Sequence, residues 1–352
     1  MTLNVCIVGA GIGAQHLTGF AALPQYYTVR SICDLDAARG RALASQYPGA
    51  TYTADLPGVL TDTGIDLVDI CLPPHLHFQS CMDALAAGKI VVCEKPLVPS
   101  LKEADALAEQ VARTGGTLLP VFQYRYGAGM AQLRALIDAG LAGPCYAASL
   151  ETHWNRTPDY YQIPWRGTWA GEEGGAILTH AIHIHDLVQG VLGPVARVYA
   201  ELATRVNDIE VEDCAALTLR MENGALVTSS VTLGAAVESS RMRLMFQGFT
   251  VESDHAPYAP AAQPWRFTAR APRTQAQIDA VLSHVVPPPV GYAGLFAALA
   301  KALAGENSPV VTLDDARRSL EFVTATYASA RSSLPVSLPL SADHPMYTGW
   351  RP

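Results

Sequence analysis

The sequence predicts a two-domain protein: a doubly wound α/β domain over the first third, then an α+β half built on an open, mostly antiparallel sheet. Three observations predict it. Short apolar runs alternate with helix-period segments as far as Phe122. Beyond Phe122 the pattern becomes one of alternating apolar and polar positions joined by turn residues. The chain has 352 residues, more than the ~250–300 at which a single core stops growing.

In the first third, Asn4–Val8, Val29–Cys33, Leu67–Cys71, Ile90–Cys93 and Thr117–Phe122 read as buried strands. Val29–Cys33 and Ile90–Cys93 are nearly unbroken apolar runs, as strands covered on both faces require. Between the strands, Ala14–Ala22, Asp36–Gln46, His77–Ala87 and Leu101–Thr114 carry apolar residues at helix period. In the second half a helix is expected near Gly129–Ala139. Strands are expected at Cys145–His153, Val195–Arg205, Asp213–Arg220, Ala225–Leu233 and Arg241–Phe249. Asn223-Gly224 marks a hairpin, because this pair tolerates positive φ. Residues 254–290 are rich in Pro, Ala and Gln and read as an extended loop; helices follow near Gly291–Leu303 and Leu313–Ser332.

Composition narrows the function. Hydrophobic residues make up 49% and charged residues 16%, a globular balance. The formal net charge is −8 and no Lys/Arg cluster stands out, which argues against a nucleic-acid partner. No apolar stretch approaches ~18 residues, so no membrane span is expected. The seven cysteines are odd in number, form no C-x-x-C pair and lie mostly in apolar runs. They read as reduced core residues, and with no leader pattern at the N-terminus the expected location is cytoplasmic.

The first strand runs directly into Gly9-Ala10-Gly11-Ile12-Gly13-Ala14. Gly9 permits a tight turn, Gly11 lets the backbone approach a pyrophosphate, and a small residue at Gly13 or Ala14 lets the helix pack on the strand. The second strand ends at Asp34, where a carboxylate can accept ribose hydroxyls. Residues 1–122 therefore read as a dinucleotide-binding Rossmann domain. Asp34 and Asp36 would repel a 2′-phosphate and favour NAD, while nearby Arg39 leaves NADP open.

Two further motifs follow: Cys71-Leu72-Pro73-Pro74-His75-Leu76-His77 after the fourth strand, and Cys93-Glu94-Lys95-Pro96 at the end of the fifth. With the glycine loop, they resemble the Gfo/Idh/MocA (glucose–fructose oxidoreductase/inositol dehydrogenase) family, over most of the chain. One departure stands out: His16 comes a residue early relative to the family's glycine loop. The resemblance implies a second domain, here 123–352, that binds substrate and supports dimers or tetramers. It also assigns the cofactor to Gly9, Gly11, Ile12, Gly13 and Asp34, with Leu72, Pro73, His75, His77, Glu94, Lys95, Gln123, Trp165 and Arg166. Lys95 ends an apolar strand before a proline, where desolvation would lower its pKa towards a useful range for proton transfer.

The segment 174–187 reads as one helix, glycines preceding it and Gly190 with Gly193-Pro194 ending it. At ~100° per residue, Thr179, His183 and Asp186 share a stripe, His180 lies at its edge, and His185 points away as a packing or surface residue. His185 cannot join His183 and Asp186 around an ion, so no metal is expected. The resemblance places the family's catalytic histidine at His183. Thr179 stands where the family usually has an aspartate, which leaves proton transfer to His183 and Lys95. Tyr124-Arg125 and Trp165-Arg166 match weaker family signatures, and His153 and Asn155, at a strand end, are further candidates for substrate hydroxyls.

The expected function is NAD(P)-dependent hydride transfer at a ring hydroxyl carbon of a sugar, sugar derivative or cyclic polyol. The resemblance implies two alternatives: NAD-assisted glycoside cleavage, and a non-catalytic dinucleotide-binding regulator. The second would be expected to lose Lys95 or His183, and both are present.

Overall fold

A computed structural model describes residues 2–352. The chain divides into two compact units. One comprises the residues up to Val121 with Tyr292–Arg317; the other comprises Phe122–Gly291 with Arg318–Pro352.

The first unit is built on six strands: β1 (Leu3–Val8), β2 (Tyr27–Cys33), β3 (Thr51–Thr53), β4 (Leu67–Ile70), β5 (Ile90–Cys93) and β6 (Leu118–Pro120). All pair in parallel, in the order β3-β2-β1-β4-β5-β6. The chain reverses direction of growth between β1 and β4, the place where an open α/β sheet exposes its ligand crevice. The five expected strands are present; the short β3 escaped the sequence because its three residues carry no apolar run. The helix Gly13–Ala21 lays Gly13, His16, Leu17 and Phe20 against the sheet, a face with helical spacing. The helix Leu101–Thr114 is capped by Ser100, whose hydroxyl accepts from the Glu103 N–H, and ends at Gly115 in the left-handed region. The returning segment belongs to this unit through aromatic packing. Phe296 stacks on Phe20 with ring centroids 3.8 Å apart, and its carbonyl accepts from the Tyr27 hydroxyl at 2.7 Å.

The second unit carries an eight-stranded sheet: β7 (Cys145–Asn155), β8 (Val195–Ala203), β9 (Cys214–Met221), β10 (Leu226–Thr232), β11 (Gly234–Phe246), β12 (Phe249–Glu252), β13 (Arg266–Ala269) and β14 (Val336–Ser337). Its order is β13-β12-β11-β7-β10-β9-β8-β14. Only β7 and β10 pair in parallel. The Met221–Ala225 hairpin forms as expected, with Gly224 at φ 90°.

Two expectations need correction. Residues 254–290 are not simply a loop: they contain β13 and the helix Gln275–Leu282, closed by a capping box at Thr274 and Gln277. Segment 174–187 is not one helix. It forms Ala176–Thr179 and Ile182–Leu192, broken at His180 (φ −122°, ψ −61°). The break is a widened turn in which the Ala181 N–H donates to the Ala176 carbonyl at 2.8 Å. Among the described residues no helix is long and apolar enough to cross a membrane. All seven cysteines are free, six of them buried.

Candidate active site

In the first unit the glycine turn lies at the end of β1. Gly9 has φ 101°, and a Cβ there would sit 2.4 Å from the Cys71 carbonyl oxygen, so only glycine fits between the two loops. A Cβ on Gly13 would stand 2.8 Å from Ile7 Cγ2. Gly13, not Ala14, therefore holds the third-glycine role and presses the helix onto β1. A Cβ on Gly11 would meet nothing within 4 Å. That open backbone beside a helix N-terminus suits a pyrophosphate.

Asp34, at the end of β2, is buried. Its oxygens accept from the Ala10 N–H (2.7 Å), the Asp36 N–H (2.8 Å), Arg39 Nε (3.2 Å) and Arg39 Nη2 (2.9 Å). Burial pushes its pKa up, but the hydrogen bonds from Arg39 and the backbone more than offset this and hold it below the ordinary carboxylate range.

Loops after β4 and β5 hold the lysine turn. Glu94 is buried; its Oε2 accepts from the Lys95 backbone N–H at 2.9 Å, and its Oε1 lies 3.0 Å from His16 Nε2. The Lys95–Pro96 peptide is cis. His77 is fully buried, its ring nitrogens 2.8 Å from the carbonyl oxygens of Pro96 and Leu72. It ties the two loops together; the sequence expected it at the cofactor. His75, two residues earlier, is exposed.

In the second unit, His183 and Asp186 share a face of the Ile182–Leu192 helix, as the stripe predicted. That face packs on the turn Gln123–Arg125. His183 stacks on Tyr124 with centroids 4.5 Å apart. Asp186 accepts both Arg125 Nε (2.7 Å) and Nη2 (2.6 Å) in a buried bidentate pair. The Tyr124 hydroxyl donates to the Pro257 carbonyl at 2.8 Å. These contacts place Tyr124 against His183 and Arg125 against Asp186 on the same helix face; the sequence expected both at the substrate. His185 turns away and is a packing residue: it reaches Ser229 Oγ at 2.8 Å, and burial pushes its pKa down to about 3.

The break at His180 gives Thr179 a partner absent from the expected stripe. Thr179 Oγ1 lies 2.8 Å from the Gly175 carbonyl and 2.6 Å from His180 Nδ1; His180 Nε2 lies 3.2 Å from Arg156 Nε. One arrangement of hydrogens satisfies this chain: Arg156 donates to Nε2, Nδ1–H donates to Thr179, and Thr179 donates to Gly175. Arg156 also lies over the rings of Trp154, Tyr160 and Tyr258 at 5.1, 4.8 and 5.7 Å, and pairs with Glu238 at 2.9 Å. Trp165-Arg166 continues this cluster. The Arg166 guanidinium stands 4.0 Å over Tyr160, hydrogen-bonds its hydroxyl, and lies 3.7 Å from Glu172.

His153 and Asn155 do not join them. Side chains of β7 alternate, and Trp154 is the one that faces His180, at 5.2 Å. His153 lies on the opposite sheet face and bonds Ser230 Oγ at 3.0 Å.

Two family models match this chain. The oxidoreductase-family NAD-binding Rossmann fold covers residues 3–122, and the GFO/IDH/MocA C-terminal domain covers 130–252. The chain belongs to the Gfo/Idh/MocA oxidoreductases. This Gfo/Idh/MocA protein is 30% identical over 245 residues to inositol 2-dehydrogenase 2 of Paenarthrobacter aurescens, covering 67% of this chain and 70% of that one. It is 30% identical over 226 residues to the uncharacterized oxidoreductase YrbE of Bacillus subtilis, covering 62% and 64%, so the matched stretch spans just under two thirds of YrbE. Among solved structures it resembles the WlbA dehydrogenase from Bordetella pertussis in complex with NADH and UDP-GlcNAcA. The two are 26% identical, with a TM-score of 0.84 over 97% of this chain and 100% of that one.

Two residues that organise this part of the Gfo/Idh/MocA protein's second unit left little trace in the sequence. Arg156 had one: a lone arginine between Trp154 and Tyr160, in an aromatic-rich run. Glu212 had none. Its buried carboxylate accepts from the Gly175 and Ile177 N–H groups and from the Tyr327 hydroxyl, at 3.0–3.1 Å, and so fixes the start of the Ala176–Thr179 helix.

Proposed function

We propose that this protein is an NAD-dependent dehydrogenase that oxidises a ring hydroxyl of a sugar, sugar derivative or cyclic polyol, or runs the reverse reduction. The observation that carries it is the glycine turn. Its open space over Gly11 and its tight packing at Gly9 and Gly13 form a cradle that a dinucleotide fits. The relatives point the same way: one is an inositol 2-dehydrogenase, and another was solved with NADH and UDP-GlcNAcA.

When bound, NAD supplies the acceptor for the hydride. Glycines 9, 11 and 13 seat the pyrophosphate, and Asp34 receives the adenine ribose once Arg39 moves aside. Lys95 polarises the reacting hydroxyl, and His183, its ring plane set by Tyr124, takes the proton. Thr179 acts through His180, which it holds in one tautomer beside Arg156. Trp165, Arg166, Tyr160 and Arg156 present aromatic faces beside donors, a combination that suits a hydroxylated ring.

The reduced-type cysteines, all free, support a cytoplasmic location. The second sheet supports a homo-oligomer, because exposed Tyr146 and Leu226 lie on its strands. Light scattering on the purified protein tests the oligomer; a monomer at working concentration removes it. The test of function is a panel of sugars, uronic acids and inositols with NAD⁺ and NADP⁺, read by reduced-nicotinamide absorbance. Turnover of a polyol with NADH formation is expected. Glycoside cleavage without net NADH would point to the alternative chemistry, and NAD binding with no turnover across the panel would overturn the dehydrogenase.

A further inference from the structure

We propose that His16 is a positioning residue for Lys95: clamped between Asp69 and Glu94, it aims the carboxylate that captures the Lys95 backbone N–H. This rests on the reading of Lys95 as the residue that handles the substrate hydroxyl.

His16 sits one turn into the Gly13–Ala21 helix, on the face turned to the sheet, and is fully buried. Its Nδ1 lies 2.9 Å from Asp69 Oδ2 on β4, and its Nε2 lies 3.0 Å from Glu94 Oε1 beyond β5. Both partners are carboxylates, which only accept. With both ionised, both ring nitrogens carry hydrogen, and the ring is an imidazolium. Burial, the largest single influence, disfavours that charge, but Asp69 and Cys71 together, through their charge and hydrogen bonds, outweigh it and hold the His16 pKa well above its ordinary value. The other groups facing the ring are Cys71, with Sγ 3.4 Å from Nδ1, Phe296, edge-on at 5.6 Å, and Tyr292. The Tyr292 ring centroid is 4.3 Å away, and its hydroxyl donates to Glu94 Oε1 at 3.2 Å.

The consequence falls on Glu94. With Oε1 held by His16 and Tyr292, Oε2 is left facing the Lys95 N–H at 2.9 Å. On the far side of Lys95, His77 bonds the Pro96 carbonyl at 2.8 Å. His16 thus acts through Glu94 on the peptide before Lys95, and His77 holds the Pro96 carbonyl one residue beyond it. His16 shares its helix with Gly13, so the clamp also joins the cofactor turn to the lysine turn. His16, Asp69 and Cys71 bring three donor atoms within 4.8 Å of one another. His16 and Asp69 already satisfy each other there, so the cluster is an ion pair first and not a ligand set.

The test is amide hydrogen exchange of the full chain, wild type against His16→Gln and Glu94→Gln, with NAD binding by calorimetry. Glutamine at 16 loses the charge and cannot donate to both carboxylates. Glutamine at 94 has one acceptor oxygen for two sets of donors, so its NH₂ faces either His16 or the Lys95 N–H. In either variant the Lys95 amide should exchange about tenfold faster or more, as for a lost charge-assisted hydrogen bond. The Val91 and Val92 amides should hold, and in His16→Gln the NAD Kd should stay within about threefold. With a substrate found in the panel, kcat should fall about tenfold and KM should barely move. Unchanged Lys95 exchange in a folded His16→Gln protein would overturn the clamp, as would equal loosening along all of β5. If His16→Gln fails to fold, Glu94→Gln decides on the same criteria. A Lys95→Ala enzyme with normal kcat would instead remove the catalytic reading of Lys95 and leave the exchange result standing.

Discussion

Arg39 lies across Asp34, with Nε 3.2 Å from one carboxylate oxygen and Nη2 2.9 Å from the other. The Ala10 and Asp36 N–H groups take the remaining acceptor positions, so the ribose hydroxyls and Arg39 compete for the same oxygens. The Arg39 side chain is 56% exposed, and an ion pair so open to water is worth ~0–1 kcal/mol. Arg39→Ala should therefore tighten NAD by no more than about fivefold, measured by calorimetry. Asp34→Ser should narrow the preference for NAD⁺ over NADP⁺. A wild-type kcat/KM that is higher with NADP⁺ would show that Arg39, not Asp34, governs this end of the cofactor.

Gly11 and Gly13 lie two residues apart, and substitutions should separate their roles. Valine at Gly11 enters open space, so Gly11→Val should abolish NAD binding while the melting temperature stays near wild type. Gly13→Val drives a side chain into Ile7 and should destabilise the fold by ~1–3 kcal/mol. Undisturbed NAD affinity in Gly11→Val would displace the pyrophosphate from this turn.

His183 and Lys95 are proposed to carry the proton. Replacing either by alanine should lower kcat by ~10²–10⁴-fold and leave the NAD Kd almost unchanged. Thr179→Val removes the hydrogen bonds with His180 and the Gly175 carbonyl and should lower kcat only about fivefold to tenfold, ~1 kcal/mol, with Thr179→Ser close to wild type. Near-normal kcat in His183→Ala between about pH 6 and pH 9 would make His183 a packing residue on Tyr124.

Glu212 should give the protein a signature in acid. Burial pushes its pKa up to about 7 despite the hydrogen bonds it accepts. The folded state therefore holds a proton that the unfolded state releases near its ordinary pKa of ~4.5. Stability from this group is complete below about pH 4.5 and is lost as pH rises through about 7, on the order of 3 kcal/mol at most. His185, held neutral with a pKa of about 3, works in the opposite sense, losing stability as pH falls below its unfolded value. The comparison must therefore be the difference between wild type and Glu212→Gln, by thermal melts across this range. A difference that is flat with pH would mean that Glu212 is ionised in the folded protein.

The sequence by itself determined whatever depends on short-range pattern. Apolar runs marked the parallel strands, the glycine turn announced a dinucleotide, and Glu94-Lys95-Pro96 with His183 pointed to the chemistry. Helical periodicity also turned His185 away from His183, because a helix fixes the direction of neighbouring side chains, and the structure decided that it packs rather than faces solvent. Only the tertiary structure decided what depends on partners distant in the chain. His16 reads as an ordinary helix residue until β4 and β5 bring Asp69 and Glu94 to its two nitrogens. The start of the helix before the break at His180 is held by Glu212, from the segment just before β9. Segment 292–317 joins the first unit because Phe296 finds Phe20 and Tyr27, and nothing local to 292–317 records that contact. Local propensity costs or gains tenths of a kcal/mol per residue, whereas one buried charge without a partner costs several, so long-range pairing overrides it wherever the two compete.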